Sequence, residues 1–168
     1  QVLFSQQFYT DKGVTKFDGS KAAFEPIKAS NNNTVSIIDS SNGQIAAVII
    51  ISEFDFRLGL MQEHFNENYL ESNVYPKSTF EGQIKNFNLE ELNQDFKDHE
   101  IEGVLTIKGI NNDITTKAKI RKIDEKIELS SGFSVMLSDY KVKIPKIVFK
   151  KIDEEVKINL NFVYERKQ

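Results

Sequence analysis

The residue types that most often carry chemistry are sparse in this chain and poorly grouped. Of its two histidines, His64 stands beside Glu63 and three residues before Glu67, while His99 lies far along the sequence. On one helical turn, His64 and Glu67 would meet, and a hard or borderline divalent cation could use them. A zinc site needs three or four ligands, and this group falls short. The absence of cysteine removes thiolate nucleophiles, thiolate metal sites and disulfides, and it leaves the redox compartment open. A serine or threonine nucleophile needs a base held next to it, yet neither histidine adjoins a strained Gly-x-Ser-x-Gly turn. The eight glycines are scattered at turns and form no phosphate cradle. Paired carboxylates of the glycosidase kind cannot be singled out in a chain so rich in acids. The sequence therefore predicts no catalytic residue, no metal site and no cofactor.

Bulk properties narrow the partners. The chain has 168 residues, 39% hydrophobic and 28% charged, which suits one globular domain over 1–168. A net charge of −3 argues against a nucleic-acid partner, which demands a concentrated basic face. The densest basic run, Lys141 to Lys151, is interrupted by apolar residues and reads as a solvated strand face, with an anionic partner as the alternative. No segment approaches the ~20 apolar residues that a membrane-crossing helix needs. The longest run, Ile45–Ile51, fits a buried strand. The first residue is Gln1 rather than Met, so an exported protein whose signal has been removed is expected, although a cloning boundary would give the same start. Thirteen Phe and five Tyr without any Trp point to a bulky apolar interior.

The elements that must position these side chains are strands. Alternation of apolar and polar residues recurs over Val2–Tyr9, Val14–Phe17, Thr34–Ile38, Gln44–Phe56, Thr79–Phe87, Ile101–Ile107, Ile114–Ile123, Ile127–Val135 and Val156–Tyr164. Turn signals separate them at Asp11-Lys12-Gly13, Asp18-Gly19-Ser20, Ser40-Ser41-Asn42-Gly43, Gly109 to Asp113 and Asp124-Glu125-Lys126. Lys21–Lys28 is irregular or briefly helical. Asn88–Phe96 reads as the clearest helix, with Asn88 and Glu91 as a capping pair and Leu89, Leu92 and Phe96 on one face. The fold class is mainly β. About eight antiparallel strands with one or two short helices would most naturally close into a barrel, with a sandwich as the alternative.

In a barrel, alternate residues point inward. Val156, Ile158, Leu160, Phe162 and Tyr164 share one face, as do Ile127, Leu129, Phe133 and Val135, and Ile101, Leu105 and Ile107. Ile45–Ile51 is apolar on both faces, so a helix, a loop or a second subunit is expected to cover its outer side. The phase that sends Glu53 and Asp55 to water places Val48, Ile50, Phe54 and Phe56 inward. Between two strands, Leu58, Met61, Phe65 and Tyr69 recur at helical spacing, and Tyr75-Pro76 sets an extended entry into the next strand. That segment would close one end of the barrel with its aromatic stripe turned inward.

Several of these residues resemble a known family. The run from Leu60 to Ser72, followed by Tyr75-Pro76-Lys77-Ser78-Thr79-Phe80-Glu81-Gly82, is similar to the aromatic-rich segment and Tyr-Pro pair of YceI-like proteins. Gly103-Val104-Leu105-Thr106-Ile107-Lys108-Gly109-Ile110 resembles their Gly-x-Leu-Thr hairpin. Phe133-x-Val135, Asp139-Tyr140 and Ile144-Pro145 resemble a third stretch, so that the likeness runs over roughly residues 8 to 163. The resemblance implies a lipocalin-like antiparallel barrel that binds a long amphiphilic lipid, a polyisoprenoid or quinone-like chain, in an exported (periplasmic or extracellular) protein without catalytic apparatus.

The expected ligand is thus a hydrophobic small molecule, with a homodimer as a further possible assembly. The expected lining is Phe54, Phe56, Met61, Phe65 and Tyr69 from the middle of the chain, Phe80, Ile84 and Leu105 from the next hairpin, and Phe133, Val135, Tyr140, Leu160 and Phe162 from the C-terminal third. Tyr69, Tyr140 and Tyr164 are the expected polar handles. The competing expectation is a ligand-free scaffold whose Phe residues fill the interior and which acts through a protein partner. An open apolar cavity of ~300 Å³ or more separates the two.

Overall fold

The computed structural model describes residues 6–24, 26–146 and 151–167. Among the described residues, nine strands run in chain order: β1 (Gln7–Ser20), β2 (Lys28–Asp39), β3 (Gln44–Ile50), β4 (Asp55–Phe56), β5 (Lys77–Ile84), β6 (Lys97–Ile107), β7 (Ile110–Ile123), β8 (Lys126–Met136) and β9 (Ile152–Arg166). All belong to one antiparallel sheet ordered β1-β9-β8-β7-β6-β5-β3-β2, and β1 pairs with β2 to close an eight-stranded barrel. The two-residue β4 adds only to the start of β2, through Ala29 and Phe56. Closure gives every long strand two partners, so no long edge is left to recruit another chain.

Turn chemistry sets the register. Lys108 and Gly109 both have positive φ (52° and 74°), as do Asp124 and Glu125 (49° and 64°), and such mirror-image turns match the twist of a hairpin. The first of these turns is shorter than the sequence suggests, because β7 already begins at Ile110. At the other β-hairpin, Gly43 has φ 77° and its N–H donates to the Asp39 carbonyl at 2.8 Å.

Several sequence expectations are corrected. Asp11-Lys12-Gly13 is not a turn: β1 continues through it with two bulges between Thr10 and Thr15. Gly13 is needed there because a Cβ would lie 2.6 Å from a carbon of the Phe162 ring. The strand expected at Thr34–Ile38 is the second half of the longer β2. Of the strand expected over Val2–Tyr9, residues 2–5 lie outside the described residues.

The helix expected over Asn88–Phe96 is a single 3-10 turn, Leu89–Glu91. Asn88 does cap it, its side chain accepting from the Glu90 N–H at 3.0 Å. The turn stops because the Asn93 side chain accepts from the Asp95 N–H at 2.9 Å, which diverts the backbone toward β6. Lys141–Lys146 is no strand face either. It crosses one end of the barrel as an irregular connection, and residues 147–150 lie outside the described residues.

The phase expected for β3 is reversed. Ile45, Ala47 and Ile49 point inward, while Ala46, Val48 and Ile50 are half-buried on the outer wall beside Val35 and Ile37. A 3-10 turn at Ile51–Glu53 spends three residues without advancing the pleat, so inward parity changes from odd to even. Phe54 and Phe56 therefore still face inward, as expected, although Val48 and Ile50 do not.

Side chains inside the barrel form two cores stacked along its axis. Phe8, Ile38, Ile84, Ile120, Ile127 and Tyr164 fill one end completely, and Leu92 from the 3-10 turn plugs it. The second core, built on Ile51, Phe54, Phe56, Phe65, Tyr140 and Val156, lines the other end without filling it.

Candidate ligand cavity

The segment between β3 and β5 lies across the unfilled end. Helix α1 (Gly59–His64) runs into a π-helical turn, Phe65–Tyr69, closed by the Leu70 N–H donating to the Phe65 carbonyl at 2.9 Å. Met61, Phe65 and Tyr69 are spaced by four, and the wider turn keeps such a spacing in one stripe. The segment is pinned at several points. Gln62 accepts through Oε1 from the Phe56 N–H at 3.1 Å, and the Ile51 N–H donates to the Pro76 carbonyl at 2.9 Å. The Tyr75 ring lies where a side chain on Gly109 would sit, and Lys108 pairs with Glu71 at 3.0 Å. These contacts make the His64–Pro76 stretch part of the barrel's architecture.

Below it lies a cavity of about 550 Å³. One wall is an aromatic cluster: the Phe65 ring stacks on Phe17 at 5.4 Å, lies 4.9 Å from Phe56 and meets Phe54 edge-on at 5.7 Å. Ile158 and Leu160 on the neighbouring β9 continue this wall, Leu105, Phe133 and Val135 carry it further round the barrel, and Phe162 lies toward the floor. Phe80 lies over the paired glycines of β5 and β6, because a Cβ on Gly82 or Gly103 would fall within 2.7 Å of the end of its ring. Those two glycines let a large ring lie back against the wall.

Of the expected lining residues, Phe54, Phe56, Met61, Phe65, Tyr69, Phe80, Leu105, Phe133, Val135, Tyr140, Leu160 and Phe162 border this cavity. Ile84 does not. It belongs to the filled core with no exposed surface, and its register partner Ile101 borders the cavity instead. Residues missed include Phe17 and Val156, both legible from the alternation of their strands, and Ile49 and Ile51, hidden by the reversed phase of β3. Leu137, Val142 and Ile144 were also missed, since no periodicity marks a lining built by an irregular connection.

The few polar groups on the wall are mostly turned into it. Thr15 Oγ1 and Thr34 Oγ1 share a hydrogen bond of 2.8 Å, Ser78 Oγ donates to the Thr106 carbonyl at 2.5 Å, and Ser131 Oγ donates to the Lys117 carbonyl at 2.7 Å. Satisfied inside the wall, they present mainly carbon to the interior.

The three tyrosines fare differently. Tyr164 is no handle: it is fully buried in the filled core, with its hydroxyl 2.8 Å from Ser36 Oγ, and burial pushes its pKa far above the ordinary value. Tyr140 borders the cavity, but its hydroxyl bonds to the Asn112 side chain; burial, with Asp139 adding, raises its pKa. Tyr69 alone keeps a hydroxyl without a hydrogen-bond partner among the described residues, and partial burial raises its pKa. His64 and Lys151 also border the cavity.

His99 lies at the other end of the barrel, in a shallow charged depression where Lys85 pairs with Glu102 at 3.0 Å. The two histidines therefore cannot act together, and no cluster of three metal-ligating side chains occurs among the described residues.

Comparison with known proteins agrees with this architecture. A polyisoprenoid binding domain from Saccharophagus degradans, implicated in plant cell wall breakdown, superposes with a TM-score of 0.82 at 13% identity, over 98% of this chain and 100% of that one. BcnA of Burkholderia cenocepacia gives a TM-score of 0.74 at 18% identity, over 90% and 96% of the two chains. The YceI protein of Campylobacter jejuni gives 0.65 at 18% identity, over 86% and 87%. A search of curated proteins returns no match. The YceI-like domain matches residues 7–164, nearly the whole chain, and the protein belongs to the YceI-like family.

Proposed function

We infer that the protein is a non-enzymatic carrier that encloses one long hydrophobic or amphiphilic chain, of the polyisoprenoid, quinone-like or acyl class, in the open half of its barrel. The observation that carries this reading is the apolar cavity of about 550 Å³, well above the size at which a packed scaffold and a binding protein part company. A tail that buries roughly 300 Å² of apolar surface there gains ~7 kcal/mol before the costs of immobilisation. The ligand's polar end sits at the mouth, where Tyr69 keeps its free hydroxyl. The polyisoprenoid binding domain named above supports the ligand class by analogy of fold.

Native mass spectrometry of the purified protein, with organic extraction of whatever dissociates, tests the reading. A stoichiometric hydrophobic adduct released on denaturation supports it. An empty mass combined with failure to bind added prenyl quinones and long acyl chains sinks it and returns the protein to the scaffold class. Two further parts of the proposal have their own tests. Export is checked by fractionating cells that express the full-length gene. A homodimer that covers Val35, Val48 and Ile50 on the outer wall is checked by light scattering.

A further inference from the structure

The rim of the cavity carries exposed apolar side chains, and one half of it is basic. Leu60 is 64% exposed, Phe24 42% and Leu58 38%, yet all three also border the cavity. Phe24 comes from the β1–β2 connection, Leu58 from the stretch between β4 and α1 and Leu60 from α1 itself, and all three meet at the same end of the barrel. Scattered exposed leucines mean little, but these are continuous with an apolar interior. The β8–β9 connection borders the same mouth. Its sequence from Lys141 to Lys151 contains no acid. Lys143 and Lys146 flank Ile144, a cavity residue, and Lys151 reaches the cavity itself. None of the three is ion-paired among the described residues.

Acids are placed elsewhere on the rim. Glu53, Asp55, Glu63 and Glu67 lie on the β3–β5 connection, which the strand order puts across the mouth from the lysines. Asp18, on the lysine side, pairs with Lys28 at 3.7 Å; partial burial opposes its charge, but hydrogen bonds from Ser20, with Lys28 adding, hold its pKa below the ordinary value. Asp139 and Asp153 bound the lysine arc. The mouth is therefore electrically polar, with its basic half adjoining Phe24, Ile27 and Ile144.

We propose that this basic, apolar half of the mouth docks on an anionic lipid bilayer, so that a chain passes between bilayer and barrel without crossing water. Lysines near such a surface each add attraction, and apolar side chains at the same level enter the headgroup boundary. The acidic half, which also carries Leu58 and Leu60, is repelled by the same surface and tilts away from it. That leaves Phe24, Ile27 and Ile144 as the apolar edge that enters, and it sets the orientation. The inference rests on the carrier reading, and its test separates the two.

The assay is co-flotation of the protein with vesicles of equimolar phosphatidylcholine and phosphatidylglycerol, against pure phosphatidylcholine. Chain loading is read in parallel, by mass spectrometry, from detergent solution with no vesicles present. The wild type should float with the anionic vesicles only, and high salt should release it. Lys143→Glu with Lys146→Glu, neither of which borders the cavity, should lower vesicle partition by at least 20-fold, at about fivefold per lysine removed and more for the reversed charge. Loading should be unchanged. A charge-matched control on the outer wall of β1, Lys12→Glu with Lys16→Glu, should retain most of the binding. Equal flotation by the mouth variant and the wall variant overturns the proposal, as does a wild type that loads normally yet floats with neither vesicle. A wild type that floats as expected but loads nothing refutes the carrier reading and leaves the docking surface standing.

Discussion

Replacing Ala47 by Phe is the most direct challenge to the claim that the barrel is hollow. Ala47 points into the cavity between Ile45 and Ile49, with Phe80 as its register partner on β5. In a filled core, such an enlargement costs about 1–3 kcal/mol through strain. Here the new ring has space. It buries roughly 100 Å² more apolar surface than alanine, worth ~2.5 kcal/mol, as an upper value. Fixing its rotamer returns up to about 1 kcal/mol. The ligand-free variant should therefore gain roughly 1–2 kcal/mol and melt about 3–6 °C higher, as expected for a domain of this size. The same ring displaces an equal area of ligand contact, so affinity for a prenyl quinone should fall about 60-fold. Calorimetric melting of the stripped protein and isothermal titration with the quinone supply the two numbers. A variant that melts lower than the parent would mean that the space does not exist. One that melts higher and binds as before would mean that the ligand lies elsewhere.

The remaining predictions concern wall, floor and pH. Phe133→Arg places a charge among apolar lining and should abolish chain binding, with far-ultraviolet circular dichroism showing strand content largely unchanged. Gly103→Ala drives a methyl into the Glu81 carbonyl and the Phe80 ring, so its urea midpoint should drop by the equivalent of about 3 kcal/mol. In the filled core, Ser36 Oγ donates to the Ala46 carbonyl at 2.8 Å, which leaves the Tyr164 hydroxyl to donate to Ser36; Tyr164→Phe should cost about 1–2 kcal/mol in chemical denaturation. Tyr69, Tyr140 and Tyr164 all have folded pKa values raised above 10.0, so the native state keeps protons that the unfolded chain loses in base. Their contribution is complete below pH 10 and is lost as pH climbs beyond it. Denaturation midpoints should therefore decline steeply in that range, and Tyr164→Phe should flatten the decline.

Much of the barrel was legible because most of its strands are wet on one side and dry on the other. In β9, Val156, Ile158, Leu160 and Phe162 alternate with Lys157, Asn159 and Asn161, and the inward set follows at once. The errors came where local signals compete. Asp11-Lys12-Gly13 carries turn chemistry, but the pairing of β1 on both flanks outweighs it and leaves only bulges. Asn88 is a true cap, yet a cap specifies where a helix starts and nothing about its length. β3 is apolar on both faces, so periodicity could not choose its phase, and the turn at Ile51–Glu53 has no marker in composition. The lining from β5 to β9 was readable for the same reason as the strands. Whether Phe rings would fill the barrel was not, because that depends on its radius and on Phe80 lying back over Gly82 and Gly103. Nor could sequence tell Ile84 from Ile101, register partners on neighbouring strands that both join the filled core, although only Ile101 also borders the cavity.

The two cores also divide what mutation is free to change. The barrel is packed solid at the filled end, where Phe8, Ile38, Ile120 and Tyr164 leave no exposed surface. At the hollow end, a side chain that projects into the cavity meets space, so its size can vary at small thermodynamic cost, unlike that of Gly82 and Gly103 beneath the Phe80 ring. A lineage can then alter the mouth and lining without first passing through unstable intermediates. That freedom accords with structural relatives that keep this barrel at only 13–18% identity. It also recommends the scaffold to engineers: randomise the positions around the cavity, leave the plugged end untouched, and most of the library should still fold.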